Sequence, residues 1–256
     1  MVSGILEKVE KTLMRQMNLN RDNWLSNILK NNVYNLSNFA NFDKNHLTIL
    51  INELCEKYAK ENVFIFTKIK TDLIEYSHLI EDLGFRLIDT NILFQRNSNF
   101  SNENKLEENI EIKFAEISHK SFVGQIAYDN FIFSRFHLDP FIKNIQANNL
   151  KRTWVENYFM GERGDHMVIA LHKDKPIAFL QLIQKENNLI IDLIAVSYNH
   201  RGNKIGTAMI YFASKNLQCE KITVGTQISN MPSIKLYQNL GFKQVSSDYV
   251  FHYHKK

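Results

Sequence analysis

The chain has 256 residues, 44% hydrophobic and 23% charged, an ordinary soluble globular composition with room for one large domain or two small ones, of which two is favoured. Its formal net charge is only +4, with Lys and Arg scattered along the chain, which argues against nucleic acid as the main partner and suits a small anionic ligand. No run of eighteen apolar residues and no leader-like N-terminus occur, and Cys55 and Cys219 belong to no metal-ligand or CxxC spacing; the expectation is a cytoplasmic protein with no membrane segment, disulfide framework or zinc site.

In chain order, apolar residues at helical spacing predict helices over 5–17, 22–29 and 43–59, with Asp43 as N-cap of the third. A strand at 63–69, a helix at 72–83 and a strand at 85–95 follow. The polar stretch RNSNFSNENKLEEN reads as a linker, so the expected domains are 1–97, a linker at 98–109, and 110–256. Beyond it the pattern predicts a strand at 110–115, a helix at 118–128 capped by Ser118, a loop broken by Pro140 and a long helix at 142–160. Three strands at 167–172, 176–184 and 189–196 form a meander, then come a turn, a helix to Leu217, a strand at 221–226, a helix at 231–240 and a strand at 245–253. The fold class is α/β, with a mixed, mostly antiparallel sheet flanked by helices.

LIEDLGFRLIDTNILFQR, from Leu79, aligns without gaps on LYQNLGFKQVSSDYVFHY, from Leu236, and a strand and a helix precede both. The match reads as a partial copy of the chain's own C-terminal half, the alternative being a helix–Gly–strand turn of the common kind. Ile80 stands in the first copy where Tyr237 stands in the second, and nothing like RGNKIG precedes it, so the first copy reads as structural.

The turn NHRGNKIGTA joins a strand to a helix. No Lys-Ser/Thr pair closes it, as a Walker loop requires, and its two glycines, Gly202 and Gly206, follow a meander and do not open a parallel sheet. What remains is backbone N–H groups and a helix N-terminus directed at a pyrophosphate.

The segments LIAVSYNHRGNKIGTAMI and NMPSIKLYQNLGF resemble the GNAT superfamily of acyl-CoA-dependent N-acyltransferases, over about residue 110 to the end. The resemblance implies the GNAT fold with a truncated GNAT-like α/β domain before it, and acetyl-CoA as co-substrate with no metal. Arg201 and Gly206 fit the family's pyrophosphate loop, while Lys204 replaces its middle glycine; Gly202, Asn203, Ile205 and Thr207 complete the loop. The backbone of Ile194, Ala195 and Val196 would hold pantetheine and polarise the thioester, Asn230 matches a CoA-side asparagine that is also an N-cap, and Tyr237 matches the general acid. SRFHLDP, GERGD and VGTQISN are similar to the bacterial TDP-fucosamine acetyltransferase group, which implies a nucleotide-linked 4-amino-4,6-dideoxy sugar as acceptor, for lipopolysaccharide-type surface polymers.

Acyl transfer to an amine needs a proton acceptor as well as an acid. Asp192, a carboxylate in an otherwise apolar strand, is either that base or a hydrogen-bonded structural group. His137 is the second candidate, or a wall of the acceptor pocket. Ser134, Arg135 and Phe136 are the expected acceptor contacts, with Arg135 either gripping a diphosphate or bridging to Asp139 or Asp165. His252 and His254 share one face of the last strand without a third ligand in view. The alternatives are a GNAT enzyme acting on a protein N-terminus, a lysine or a small amine, and a non-catalytic CoA-binding protein; a homodimer is allowed.

Overall fold

The computed structural model describes residues 18–38, 43–99, 106 and 109–255, so the helix expected at 5–17 and most of the linker lie outside the described residues. The first elements are β1 (Asn18–Arg21), α1 (Asn23–Leu29), β2 (Asn32–Ser37), α2 (Lys44–Lys57), β3 (Val63–Lys70), α3 (Ile74–Asp82) and β4 (Arg86–Asn97). Then come β5 (Ile110–Phe114), α4 (Lys120–Asn130), a single turn at Arg135–Leu138, α5 (Asn144–Glu156), β6 (His166–His172), β7 (Lys175–Lys185) and β8 (Asn188–Val196). The chain closes with α6 (Ile205–Asn216), β9 (Lys221–Gln227), α7 (Met231–Asn239) and β10 (Lys243–His254). Among the described residues no helix is long and apolar enough to cross a membrane, and both cysteines are free thiols.

Two compact units divide the chain: the described residues up to Thr90 together with Asp248 onward, and Asn91–Ser247. This differs from the expected boundaries, because each boundary falls inside a strand. Asn91–Asn97 of β4 pair antiparallel with β9, whereas Asp248–His254 of β10 pair antiparallel with β3.

In the first unit β1 pairs antiparallel with β2, and β2 pairs parallel with β3 across α2. Asp43 caps α2 by accepting from the His46 N–H at 3.0 Å, as expected. Leu47, Leu50, Ile51 and Leu54 recur at helical spacing and bury one face of α2 against Val63, Ile65, Ile69, Ile80 and Phe251. β1 and β2 were not anticipated: their asparagines disfavour strands, yet β2 pairs parallel with β3 from Asn32 to Asn35 and buries Val33 and Leu36. His252 and His254 pack on Phe64, edge-on at 4.7 Å and stacked at 4.6 Å.

In the second unit β5 to β8 form the antiparallel meander, β8 and β9 are parallel with α6 crossing between them, and β4 closes the far side of β9. Met209, Ile210 and Ala213 of α6 pack on Leu180, Leu182, Ile191 and Val224. On another core cluster Val123 and Ala127 of α4 and Val155 of α5 meet Met167, Ile169, Phe179 and Leu193. The helix expected from Ser118 begins at Lys120; Ser118 lies in a 3₁₀ turn, and the capping box is made by Glu116 and His119. The long helix ends at Glu156, continues as a 3₁₀ turn, and is stopped by left-handed Gly161.

The order β2–α2–β3–α3–β4 recurs as β8–α6–β9–α7–β10. The closing turn recurs too: Phe85 N–H donates to Ile80 O at 3.2 Å and Phe242 N–H to Tyr237 O at 2.9 Å, after glycines with φ of +85° and +75°.

Candidate active site

β8 and β9 pair only from Asn188↔Lys221 to Ile191↔Val224. Beyond that point β9 keeps β4 as its neighbour and β8 keeps β7 as far as Val196, so among the described residues one edge of β8 from Asp192 to Val196 has no strand partner. The separation starts at a bulge: Gln181 faces Leu193 and Leu182 faces Ile191, leaving Asp192 as the extra residue. An unpaired backbone edge is a ready acceptor and donor row for an extended ligand.

The quoted turn lies at the end of this edge. Gly202 (φ +84°) and Lys204 (φ +58°) are both left-handed, which turns the chain into α6 at Ile205. Lys204 therefore adopts a backbone conformation that favours glycine. Arg201, Gly202, Asn203 and Lys204 are exposed, and α6 has neither a side-chain cap nor an acidic residue in its first turn. Its leading N–H groups, at Ile205, Gly206 and Thr207, are open to an anion. Arg201 braces the turn: Nε donates to Val196 O at 3.1 Å and Nη2 to Asn130 Oδ1 at 3.0 Å.

On the other side of the bulge, Asp192 is fully engaged. Arg163 grips it bidentately at 2.8 and 2.7 Å, Trp154 Nε1 donates at 2.9 Å and Gln181 Nε2 at 3.4 Å. Of the two readings of Asp192 the geometry matches the structural one, since a bidentate arginine and two further donors hold both of its oxygens. Arg163 reaches it because left-handed Gly164 folds the GERGD loop onto buried Gln181, where a Cβ would stand 2.9 Å from Nε2.

His137 is also occupied. Its Nε2 lies 2.8 Å from Asn148 Oδ1, an acceptor, which makes Nε2 the protonated nitrogen and leaves Nδ1 to accept from Ser134 Oγ at 2.6 Å. Burial, with the Lys151 charge adding, holds its pKa below the usual imidazole range. Ser134 thus serves His137, Phe136 is buried, and the Arg135 guanidinium lies 4.5 Å over the Phe136 ring. Asp129, Phe131, Ile132, His137, Asn144 and Asn148 line a recess of about 220 Å³.

Residues 132–242 match the Acetyltransferase (GNAT) family model. The fold is similar to that of a GCN5-related N-acetyltransferase from Sphaerobacter thermophilus, with a TM-score of 0.62 at 10% identity over 93% of this chain and 75% of that one. A tandem GNAT protein from the clavulanic acid biosynthesis pathway gives a TM-score of 0.60 at 10% identity over 87% and 75%. The spore coat polysaccharide biosynthesis protein SpsD of Bacillus subtilis (strain 168) is 25% identical over 233 residues, 90% of this chain and 80% of that protein.

The chain is a GNAT-fold acyltransferase.

Acetyl-CoA is the co-substrate of GNAT enzymes. In this acyltransferase Tyr237 is 2% exposed and sits in the core with Phe94 and Phe242, at ring distances of 6.0 and 5.6 Å. Burial alone pushes its pKa above the ordinary phenol value, so the hydroxyl stays protonated. Asn230 N-caps α7, accepting from Ser233 N–H at 3.3 Å and donating to Thr226 Oγ1 at 3.2 Å. A Cβ on Gly206 would meet Leu236 Cδ2 at 3.5 Å and Ile194 Cδ1 at 3.7 Å, so this glycine faces the packing of α6 on α7 and β8. Its side-chain direction is therefore not toward the open turn.

Sequence reasoning did not anticipate Lys151, Trp154, Arg163, Gln181 or Asn148. The GERGD segment was noted without a role for its arginine, and the spacing of Asn148, Lys151 and Trp154 along one helix was the remaining signal.

Proposed function

We propose that this acyltransferase moves the acetyl group of acetyl-CoA onto the amine of a nucleotide-activated amino-deoxy sugar, a TDP-linked 4-amino-4,6-dideoxyhexose, for synthesis of a surface polysaccharide. Transfer is direct, within a ternary complex; neither Cys55 nor Cys219 lies in a motif that suggests an acyl-enzyme.

The observation that carries the reading is the unpaired edge of β8 running into the uncapped N-terminus of α6. Pantetheine would lie along Ile194–Val196, the Val196 carbonyl being shared with Arg201, and the pyrophosphate would take the N–H groups of Ile205, Gly206 and Thr207 with Lys204 adding charge. Tyr237 would give the departing thiolate its proton, with Asn230 fixing the start of its helix.

Two observations support a phosphate-bearing sugar as acceptor. The relative SpsD carries the name of a spore coat polysaccharide biosynthesis protein. Arg135 and Arg163 also outnumber their neighbour Asp192, a local excess of positive charge that suits a diphosphate. The recess is smaller than the usual pocket of roughly 300–1,000 Å³, so only part of a nucleotide sugar would enter it.

The test is thiol release from acetyl-CoA against TDP- and UDP-linked 4-amino and 3-amino sugars, polyamines and peptides. Turnover with a TDP-linked 4-amino-4,6-dideoxyhexose is expected. Activity confined to peptides or polyamines would replace the sugar by a protein or small-amine acceptor.

A further inference from the structure

Any amine acceptor is mostly an ammonium ion near neutral pH and cannot attack a thioester until it loses a proton. Of the two acceptors of protons that the sequence offered, Asp192 is gripped across both oxygens by Arg163, and His137 has both ring nitrogens in hydrogen bonds. One basic group beside them is in no such bond.

Lys151 lies on the face of α5 that carries Asn144 and Asn148, at spacings of four and three residues, one helical turn beyond the two asparagines that line the recess. The residue is 7% exposed. Its Nζ sits 5.0 Å from the centre of the Phe131 ring, itself a wall of the recess, and 4.8 Å from that of Trp154, whose indole N–H holds Asp192 at the bulge of β8. Among the described residues no hydrogen bond or ion pair engages it. The amine thus stands between a ring that walls the recess and the indole that holds Asp192 at the bulge of β8.

The groups facing it are Asp192 from β8, Arg135 and His137 from the single helical turn, and Arg163 from the loop before β6. Burial is the main influence and pushes the Lys151 amine down to about 8; Asp192 opposes this, and Arg135 and Arg163 reinforce it. A lysine in that range is a competent base near neutrality.

We infer that Lys151, as the neutral amine, takes the proton from the acceptor's ammonium group. The inference rests on acetyl transfer to an amine as proposed above. The freed nitrogen lone pair forms the N–C bond, the C–S bond breaks, and the sulfur leaves with a proton. Of the two protons that the nitrogen gives up, one ends on the CoA thiol and one passes through Lys151 to water.

Lys151→Arg keeps the charge and cannot serve as the base, whereas Lys151→Met keeps the volume alone. At saturating substrates the kcat of the parent should rise with pH and level off above about 8. Both variants should lose roughly 10²-fold or more in kcat at pH 7, with acceptor KM little changed in the arginine variant. A Lys151→Arg enzyme with the parent's kcat would overturn the inference, leaving the residue a cation that positions its neighbours. A second measurement needs no acceptor and no variant: the Nζ resonance of Lys151 followed by NMR in the folded, lysine-labelled protein. Titration near 8 supports the assignment, and titration above 10 overturns it. Parent protein inactive on the whole amine panel would count against the transfer reaction, and the NMR titration would still decide the state of Lys151.

Discussion

Tyr237 illustrates how one side chain serves two ends. Its ring fills the core between Phe94 and Phe242, and its carbonyl accepts the N–H that closes the helix turn, so most of the residue is explained by packing. Only the hydroxyl is left for chemistry. Tyr237→Phe removes that oxygen and nothing else, so the protein should fold and bind acetyl-CoA as before. If the hydroxyl protonates the thiolate, kcat falls by roughly 10²–10⁴-fold. Single-turnover measurement avoids masking by product release, and a parent-like rate there would assign the tyrosine to the core alone.

At the scale of an element, α6 is a helix whose first turn is left unsatisfied. A helix normally draws a Ser, Thr, Asp or Asn to its N-cap, and here Lys204 occupies that place in a left-handed conformation without capping. Stability has been forgone at a position where an anion would restore it. Thr207→Asp supplies a carboxylate to those N–H groups, which should stabilise the helix by about 0.3–1 kcal/mol. The same carboxylate would occupy the anion site and repel a pyrophosphate, weakening acetyl-CoA binding more than tenfold, above about 1.4 kcal/mol. Calorimetric titration beside thermal unfolding reads both signs; tighter or equal CoA binding in the variant would remove the site from this helix. Asp192 belongs to this scale as well, since it is a bulge residue that fastens β8 to the GERGD loop and α5.

For the whole molecule, each boundary between the compact units falls inside a strand, and a buried charged group on one of those strands bears on stability. Asp89 on β4 is 7% exposed, and burial raises its carboxyl to about 6, with the Thr90 N–H and Lys68 opposing the shift. A carboxyl raised in the folded state binds its proton more tightly there than when unfolded. Its contribution therefore turns against folding as pH rises from about 4 to 6, and the cost is fully present above that window. Asp89→Asn should be more stable than the parent at pH 7 to 8, by up to about 3 kcal/mol, and no more stable below pH 4. Urea unfolding across that range checks the sign, and a destabilised variant at pH 8 would mean that the charge has a role in the native fold.

Much of this protein was legible in the order of its residues. Alternation and helical spacing placed β3 to β10 and the main helices to within a few residues, because these patterns state directly which side faces a core. RGNKIG and the Leu-Gly-Phe turns were equally local, since a left-handed glycine after a helix needs no distant partner. Tertiary structure alone decided the rest. β2 became a strand because β3 lay beside it, and the unit boundaries fell inside β4 and β10 because strand pairing takes no account of linkers. A carboxylate that the sequence left as either base or structural group was tied down by an arginine twenty-nine residues away, and a lysine marked only by its helical spacing came to rest between two aromatic rings. Charge, hydration and hydrogen-bond occupancy depend on neighbours in space, and those neighbours exist only after folding.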